Sequence, residues 1–134
     1  MIALDSSAIV AIALHEPEFL SFTLLMTRRV SVIGRPTVLE THMVLRDRSG
    51  DNGVAVLDRL LMHPKVRIID FDEQHLVIAR RAFDQFGKRR GHPAQLNFGD
   101  CMAYAVAKRE NVPLLYKGAD FSHTDIPSAV PSVL

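Results

Sequence analysis

The stretch Leu96–Ile126, LNFGDCMAYAVAKRENVPLLYKGADFSHTDI, decides the fold class. Asn97 is a helix-capping residue type with Asp100 in the first turn behind it, and Cys101, Ala105, Ala107 and Lys108 carry the helix to a stop before Pro113. Leu114, Leu115 and Tyr116 then form a brief apolar run closed by Lys117-Gly118, which predicts a short buried strand. A helix leading into a buried strand is half of an α/β unit. Asp100 at the helix start and Asp120 just past the strand fall where open α/β sheets gather their binding residues, beyond the carboxyl ends of the strands.

Working outward, the same alternation repeats. Met1–Leu4 is apolar without alternation, as in a strand covered on both faces, and Asp5-Ser6-Ser7 ends it. A short helix through Ala8, Ile9, Ala11, Ile12 and Leu14 is closed by Glu16-Pro17-Glu18, and a second follows through Phe19, Phe22, Leu25 and Met26. Val30–Ile33 is the next strand; Gly34-Arg35-Pro36 opens a helix carrying Glu40 about one turn in. Ser49-Gly50-Asp51-Asn52-Gly53 is expected to break that helix cleanly before another that runs to Met62. Val66, Ile68 and Ile69 give a third strand, and Asp70 to Glu73 caps a long helix through Phe86. Strands and helices in alternation, joined by short loops, predict an α/β sandwich with a mostly parallel central sheet. In the Pro-containing tail, Val130 or Val133 is expected to join a last edge strand.

With 134 residues the chain suits one domain, residues 1–134, with a self-sufficient core. An apolar fraction of 48% with 23% charged residues excludes a largely disordered chain. Net charge is only +1, yet Arg80, Arg81, Lys88, Arg89 and Arg90 stand between residues 80 and 92 against the single acid Asp84. That patch is either a solvated helix face or a surface for polyanions. The single cysteine, Cys101, makes no internal disulfide and sits among apolar residues as a buried small hydrophobe. The sequence has neither a secretory-signal pattern nor a long apolar span, so a cytoplasmic protein without membrane contact is expected.

The fold would bring Asp5, Asp100 and Asp120 to one edge, with Glu40 reaching the same place from its helix. Taken singly, each has a plainer role as a helix cap, a dipole partner, a turn anchor or an exposed acid. Two unit charges about 4 Å apart repel by roughly 4 kcal/mol at an effective dielectric near 20, so a shared site must protonate, spread or hold a cation. All-oxygen donors favour Mg2+, with Mn2+ as the other candidate, and such an ion suits phosphodiester hydrolysis. Other chemistries lack their residues. His15-Glu16 has no second histidine of a zinc protease motif, there is no phosphate-binding glycine loop, and Ser7 stands where an aspartyl phosphatase needs a second acid.

The pieces MIALDSSA at 1–8, PTVLE at 36–40, HPAQLNFGD at 92–100 and KGADF at 117–121 together resemble the PIN-domain ribonucleases, and among them the VapC toxins of bacterial toxin–antitoxin pairs. The resemblance spans essentially the whole chain and implies a PIN-like three-layer α/β/α sandwich. It implies a metal-dependent endoribonuclease with Asp5, Glu40, Asp100 and Asp120 as catalytic, metal-holding carboxylates. Ala119 stands where many relatives have a further aspartate, and Asp125 is a second candidate for the fourth acid. Ser6 or Ser7 is expected to orient a water or a carboxylate, and Lys117, His123, Arg89, Arg90 and His92 are candidates to hold the RNA backbone. Expected partners are an RNA substrate, a homodimer mate and a cognate antitoxin that covers the site. Phe19, Phe22 and Leu25 could serve those interfaces or the core. Two other readings stay open at this stage: an inert PIN-like scaffold that only binds RNA or protein, and a receiver-like magnesium-binding signalling domain.

Overall fold

A computed structural model describes residues 1–130. The elements run β1 (Ile2–Leu4), α1 (Ser6–Ala13), α2 (Phe19–Arg28), β2 (Ser31–Gly34), α3 (Arg35–Leu61), β3 (Val66–Ile69), α4 (Glu73–Phe86), α5 (Phe98–Glu110), β4 (Leu114–Leu115) and a 3-10 turn at Asp120–His123. The four strands are all parallel and lie in the order β3-β2-β1-β4.

The two apolar clusters explain why the strands are apolar without alternation. Ile2, Leu4, Ile33 and Leu115 pack with α1, α2 and α3 on one face, while Ala3, Val32 and Leu114 pack with α4 and α5 on the other. Successive side chains of a strand point to opposite faces, so a sheet covered on both sides needs apolar residues at every position. This is the three-layer α/β/α arrangement. Phe22 is core, only 2% exposed, whereas Leu20 and Leu24 on the same helix are the residues that face outward.

One expectation holds and two are corrected. The Ser49–Gly53 segment separates two helical halves within Arg35–Leu61, as expected: Gly50, at φ 55° and ψ −139°, leaves helical geometry, a conformation a glycine adopts freely. Gly53 is buried against the preceding turn, where a Cβ would stand 2.9 Å from the Ser49 side chain, so the two halves of α3 close tightly. Tyr116 lies outside β4. At the far end Ser128 makes the bridge to Leu114, Val130 belongs to no strand, and Val133 lies outside the described residues.

The chain order now locates the site. It steps from β1 to β2 to β3 on one side, then returns to place β4 on the other side of β1. The reversal makes a crevice between the carboxyl ends of β1 and β4, the place where such sheets bind ligands. Asp5 follows β1 directly, and the 117–120 loop follows β4.

Candidate active site

Asp5 is both the N-cap of α1 and the most buried acid of the crevice, 4% exposed. Its Oδ2 accepts from the Ser7 backbone N–H at 3.1 Å and from Ser7 Oγ at 2.6 Å. Its Oδ1 is buried with no partner among the described residues. Burial pushes the carboxyl up to about 7; the two Ser7 hydrogen bonds oppose the rise, and the charges of Asp100 and Glu40 add to it.

Asp100 enters from the first turn of α5. Asn97 Oδ1 accepts from Asp100 N at 2.8 Å and Asp100 Oδ2 accepts from Asn97 N at 3.0 Å, a reciprocal capping box. One carboxylate oxygen is thereby held and the other left available. Burial raises this carboxyl to about 6; Asn97 opposes, Asp120 and Glu40 raise it further, and Lys88 lowers it. Glu40, on the second turn of α3, lies over Gly99 so closely that a Cβ there would fall 1.6 Å from Glu40 Oε2. Its Oε1 is also buried without a partner. Asp120 is exposed, on the loop from β4.

The crevice therefore couples the charges of Asp5, Glu40 and Asp100 to one another and that of Asp120 to Asp100, while the cap and dipole roles of Asp5 and Asp100 persist beside it. Among the described residues, no three His, Cys, Asp or Glu side chains already form a closed ligand group. An open set of hard oxygens suits magnesium or manganese, since magnesium keeps several waters and takes only one or two carboxylates directly. Two buried carboxylate oxygens without partners are the donors such an ion needs.

The other expected residues separate. Ser7, and not Ser6, is the hydroxyl at work: Ser7 Oγ donates to Asp5 and accepts from Lys117 N at 2.9 Å, which fixes its hydrogen. The capping rule contains this signal, because an N-cap carboxylate accepts from the second helical residue and Ser6 is the first. The Lys117 side chain is spent on Glu16, with Glu18 Oε1 at 3.2 Å, and both contacts hold its ammonium above the usual lysine range. It clasps the loop carrying Asp120 to the α1–α2 corner. Lys117→Met is expected to lower kcat roughly tenfold with little change in KM; a rise in KM alone would return Lys117 to the phosphate-holding role.

His123, Arg89 and Arg90 are all exposed, and the Arg90 guanidinium lies over the Phe83 ring at 5.5 Å. His92 packs its ring edge against Phe86, with Nδ1 accepting from Ala94 N, as a structural part of the loop. Asp125 does not join the acids. Tyr104 Oη donates to it at 2.6 Å and Lys108 Nζ at 2.7 Å; against the rise that burial causes, these contacts hold it below the usual carboxylate range. Cys101 is buried, and burial raises its thiol to about 11, so it offers no thiolate.

The raised Asp5 carboxyl carries a sign. Between its ordinary 3.8 and about 7 the folded protein keeps a proton that the unfolded chain has released. Stability therefore falls as pH rises through that window and levels off above it. Chelator-treated protein is expected to melt at a higher temperature near pH 5 than near pH 8; the reverse order would show that Asp5 is not buried unpaired.

A parallel sheet with carboxylates gathered at its switch point defines the class of this domain, and the comparisons supply the family. The chain belongs to the PIN-domain family, whose model matches residues 2–127. Within it the similar proteins are VapC ribonucleases. Ribonuclease VapC30 of Mycobacterium tuberculosis is 37% identical over 124 residues, covering 92% of this chain and 94% of that protein. Ribonuclease VapC of Mycolicibacterium smegmatis is 38% identical, covering 92% and 95%. The fold matches the crystal structure of M. tuberculosis VapC20, described as a sarcin-ricin loop cleaving toxin, with TM-score 0.79 at 16% identity over 98% of this chain and 100% of that one. It also matches VapBC2 of Rickettsia felis bound to a promoter DNA fragment, with TM-score 0.70 at 18% identity over 96% of each chain. Nucleases of this family are metal-dependent. Among the described residues, no helix is long and apolar enough to cross a membrane.

Proposed function

We propose that this chain is the ribonuclease toxin of a toxin–antitoxin pair, a single cytoplasmic PIN domain that hydrolyses RNA phosphodiesters with Mg2+, or Mn2+ in its place. The observation that carries this reading is the pair of buried, unpartnered oxygens, Asp5 Oδ1 and Glu40 Oε1, at the switch point. Asp5, Glu40 and Asp100 would hold the ion, with Asp120 completing the set from the exposed side. When bound, the ion supplies an acidified water and neutralises charge on the phosphodiester.

The chain's own residues prepare that chemistry. Ser7 holds one Asp5 oxygen so that the other faces the crevice. The Asn97 box does the same for Asp100. Lys117 ties down the loop that brings Asp120. The exposed cations Arg89 and His123 would offer phosphate contacts that carry affinity without sequence information.

The family match removes the receiver-like reading. For partners, an apolar cleft of about 980 Å3, lined by Leu39, Met43, Phe71, Phe98 and Met102, borders Glu40 and Gly99. We assign it to the cognate antitoxin, whose segment would cover the acids, and place homodimer formation among the same family properties. The test is cleavage of a labelled pool of structured RNAs, a sarcin–ricin hairpin among them, with Mg2+, Mn2+ or chelator. Metal-dependent cuts that disappear in Asp5→Asn and Asp100→Asn support the nuclease. Equal cutting by all three proteins would mean contamination, and none from the broad pool would favour an inert scaffold.

A further inference from the structure

The fold divides the basic run Lys88-Arg89-Arg90. Lys88 N donates to Leu96 O at 3.0 Å, Leu96 N donates to Phe86 O at 2.9 Å, and Gly87 bridges Leu96. Leu96 immediately precedes Asn97, the cap whose box holds Asp100. The loop is thus pinned shut at its base, and its first cation sits beside the start of α5. The Arg90 guanidinium lies over the Phe83 ring of α4. Lys88 is exposed, and among the described residues it makes no ion pair. Its backbone stands beside the segment that carries the Asn97–Asp100 box.

A carboxylate cluster repels the polyanion it must cut, so a cation at its rim is needed to admit the phosphate. A lysine ammonium is a compact charge with three donors, suited to one phosphate oxygen and indifferent to base identity. We propose that Lys88, held against Leu96 at the mouth of the Asp5–Glu40–Asp100 crevice, contacts the RNA phosphodiester directly and seats it on the acids. This rests on the ribonuclease reading and names a substrate contact for it.

The test compares wild type, Lys88→Ala, Lys88→Arg and Arg67→Ala on a labelled fragment of the RNA that wild type cuts. Arg67 lies on β3, at the opposite edge of the sheet from β4, and controls for the loss of one positive charge. Lys88→Ala is expected to raise KM about tenfold, with kcat changed less than about threefold. In the Asp5→Asn background, fluorescence anisotropy across salt concentrations should show the salt slope of RNA binding reduced by about one. Lys88→Arg should restore most of both. A KM and salt slope for Lys88→Ala equal to those of Arg67→Ala, with wild type cutting normally, would overturn the proposal and leave the ribonuclease reading standing. Wild type that cuts no RNA would overturn both.

Discussion

Asp5→Asn is expected to abolish RNA cleavage, by about a thousandfold in kcat, in a protein that folds at least as well as wild type. The substitution keeps the shape and the Ser7 contacts of the side chain, so the N-cap of α1 survives. What it removes is the negative charge on a buried oxygen that has no partner. Loss of several kcal/mol of charge stabilisation at a divalent ion corresponds to the thousandfold figure. Stability should move the other way. Wild-type Asp5 has its carboxyl raised to about 7 by burial, and each unit of such a rise weakens the folded state at alkaline pH by about 1.4 kcal/mol. Neutral Asn carries no such penalty. In chelator near pH 8 the variant should melt above wild type, and near pH 5 the gap should shrink as wild-type Asp5 takes its proton. An active Asp5→Asn enzyme, or one destabilised at pH 8, would contradict the assignment.

Gly99→Ala is expected to cost the second-largest share of activity while leaving the fold intact. A Cβ at residue 99 would fall 1.6 Å from Glu40 Oε2 and 2.4 Å from Glu40 Cδ. Those atoms end a flexible side chain, so the carboxylate swings away and the helices keep their places. Alanine is also the better helix former, which offsets part of any strain. The expected result is a loss of roughly 10- to 100-fold in kcat with a melting temperature near that of wild type. Glu40→Gln should then add little further loss on top of Gly99→Ala, because both remove the same charge from the same place. Full additivity in the double variant, or a melting temperature lowered as far as the activity, would mean that Gly99 serves packing and not Glu40.

Much of this was legible from local sequence. The N-cap Asn97, the stop before Pro113 and the apolar run at Leu114 define α5 and β4 almost to the residue, because capping and strand burial depend on near neighbours. The break at Ser49–Gly53 was legible too. Two glycines and three polar residues mark it, Gly50 at positive φ makes the turn, and the buried Gly53 lets the two halves pack. Lys117, by contrast, misled. A lysine beside candidate acids looks free for phosphate, whereas Glu16 and Glu18, a hundred residues away in the chain, occupy it.

By itself the sequence determined the alternation of strands and helices, the carboxylates placed at their ends, and the family resemblance that named Asp5, Glu40, Asp100 and Asp120. These follow from short-range rules and a linear pattern. Only the tertiary structure decided that Gly99 makes room for Glu40, that Lys117 N reaches Ser7 while its ammonium goes to Glu16, and that Asp125 belongs to Tyr104 and Lys108. Each of these depends on which distant segments the parallel crossovers bring into contact. Burial then sets the charge of a carboxyl from its surroundings, so the raised Asp5 and Asp100 carboxyls exist only once the crevice has closed around them.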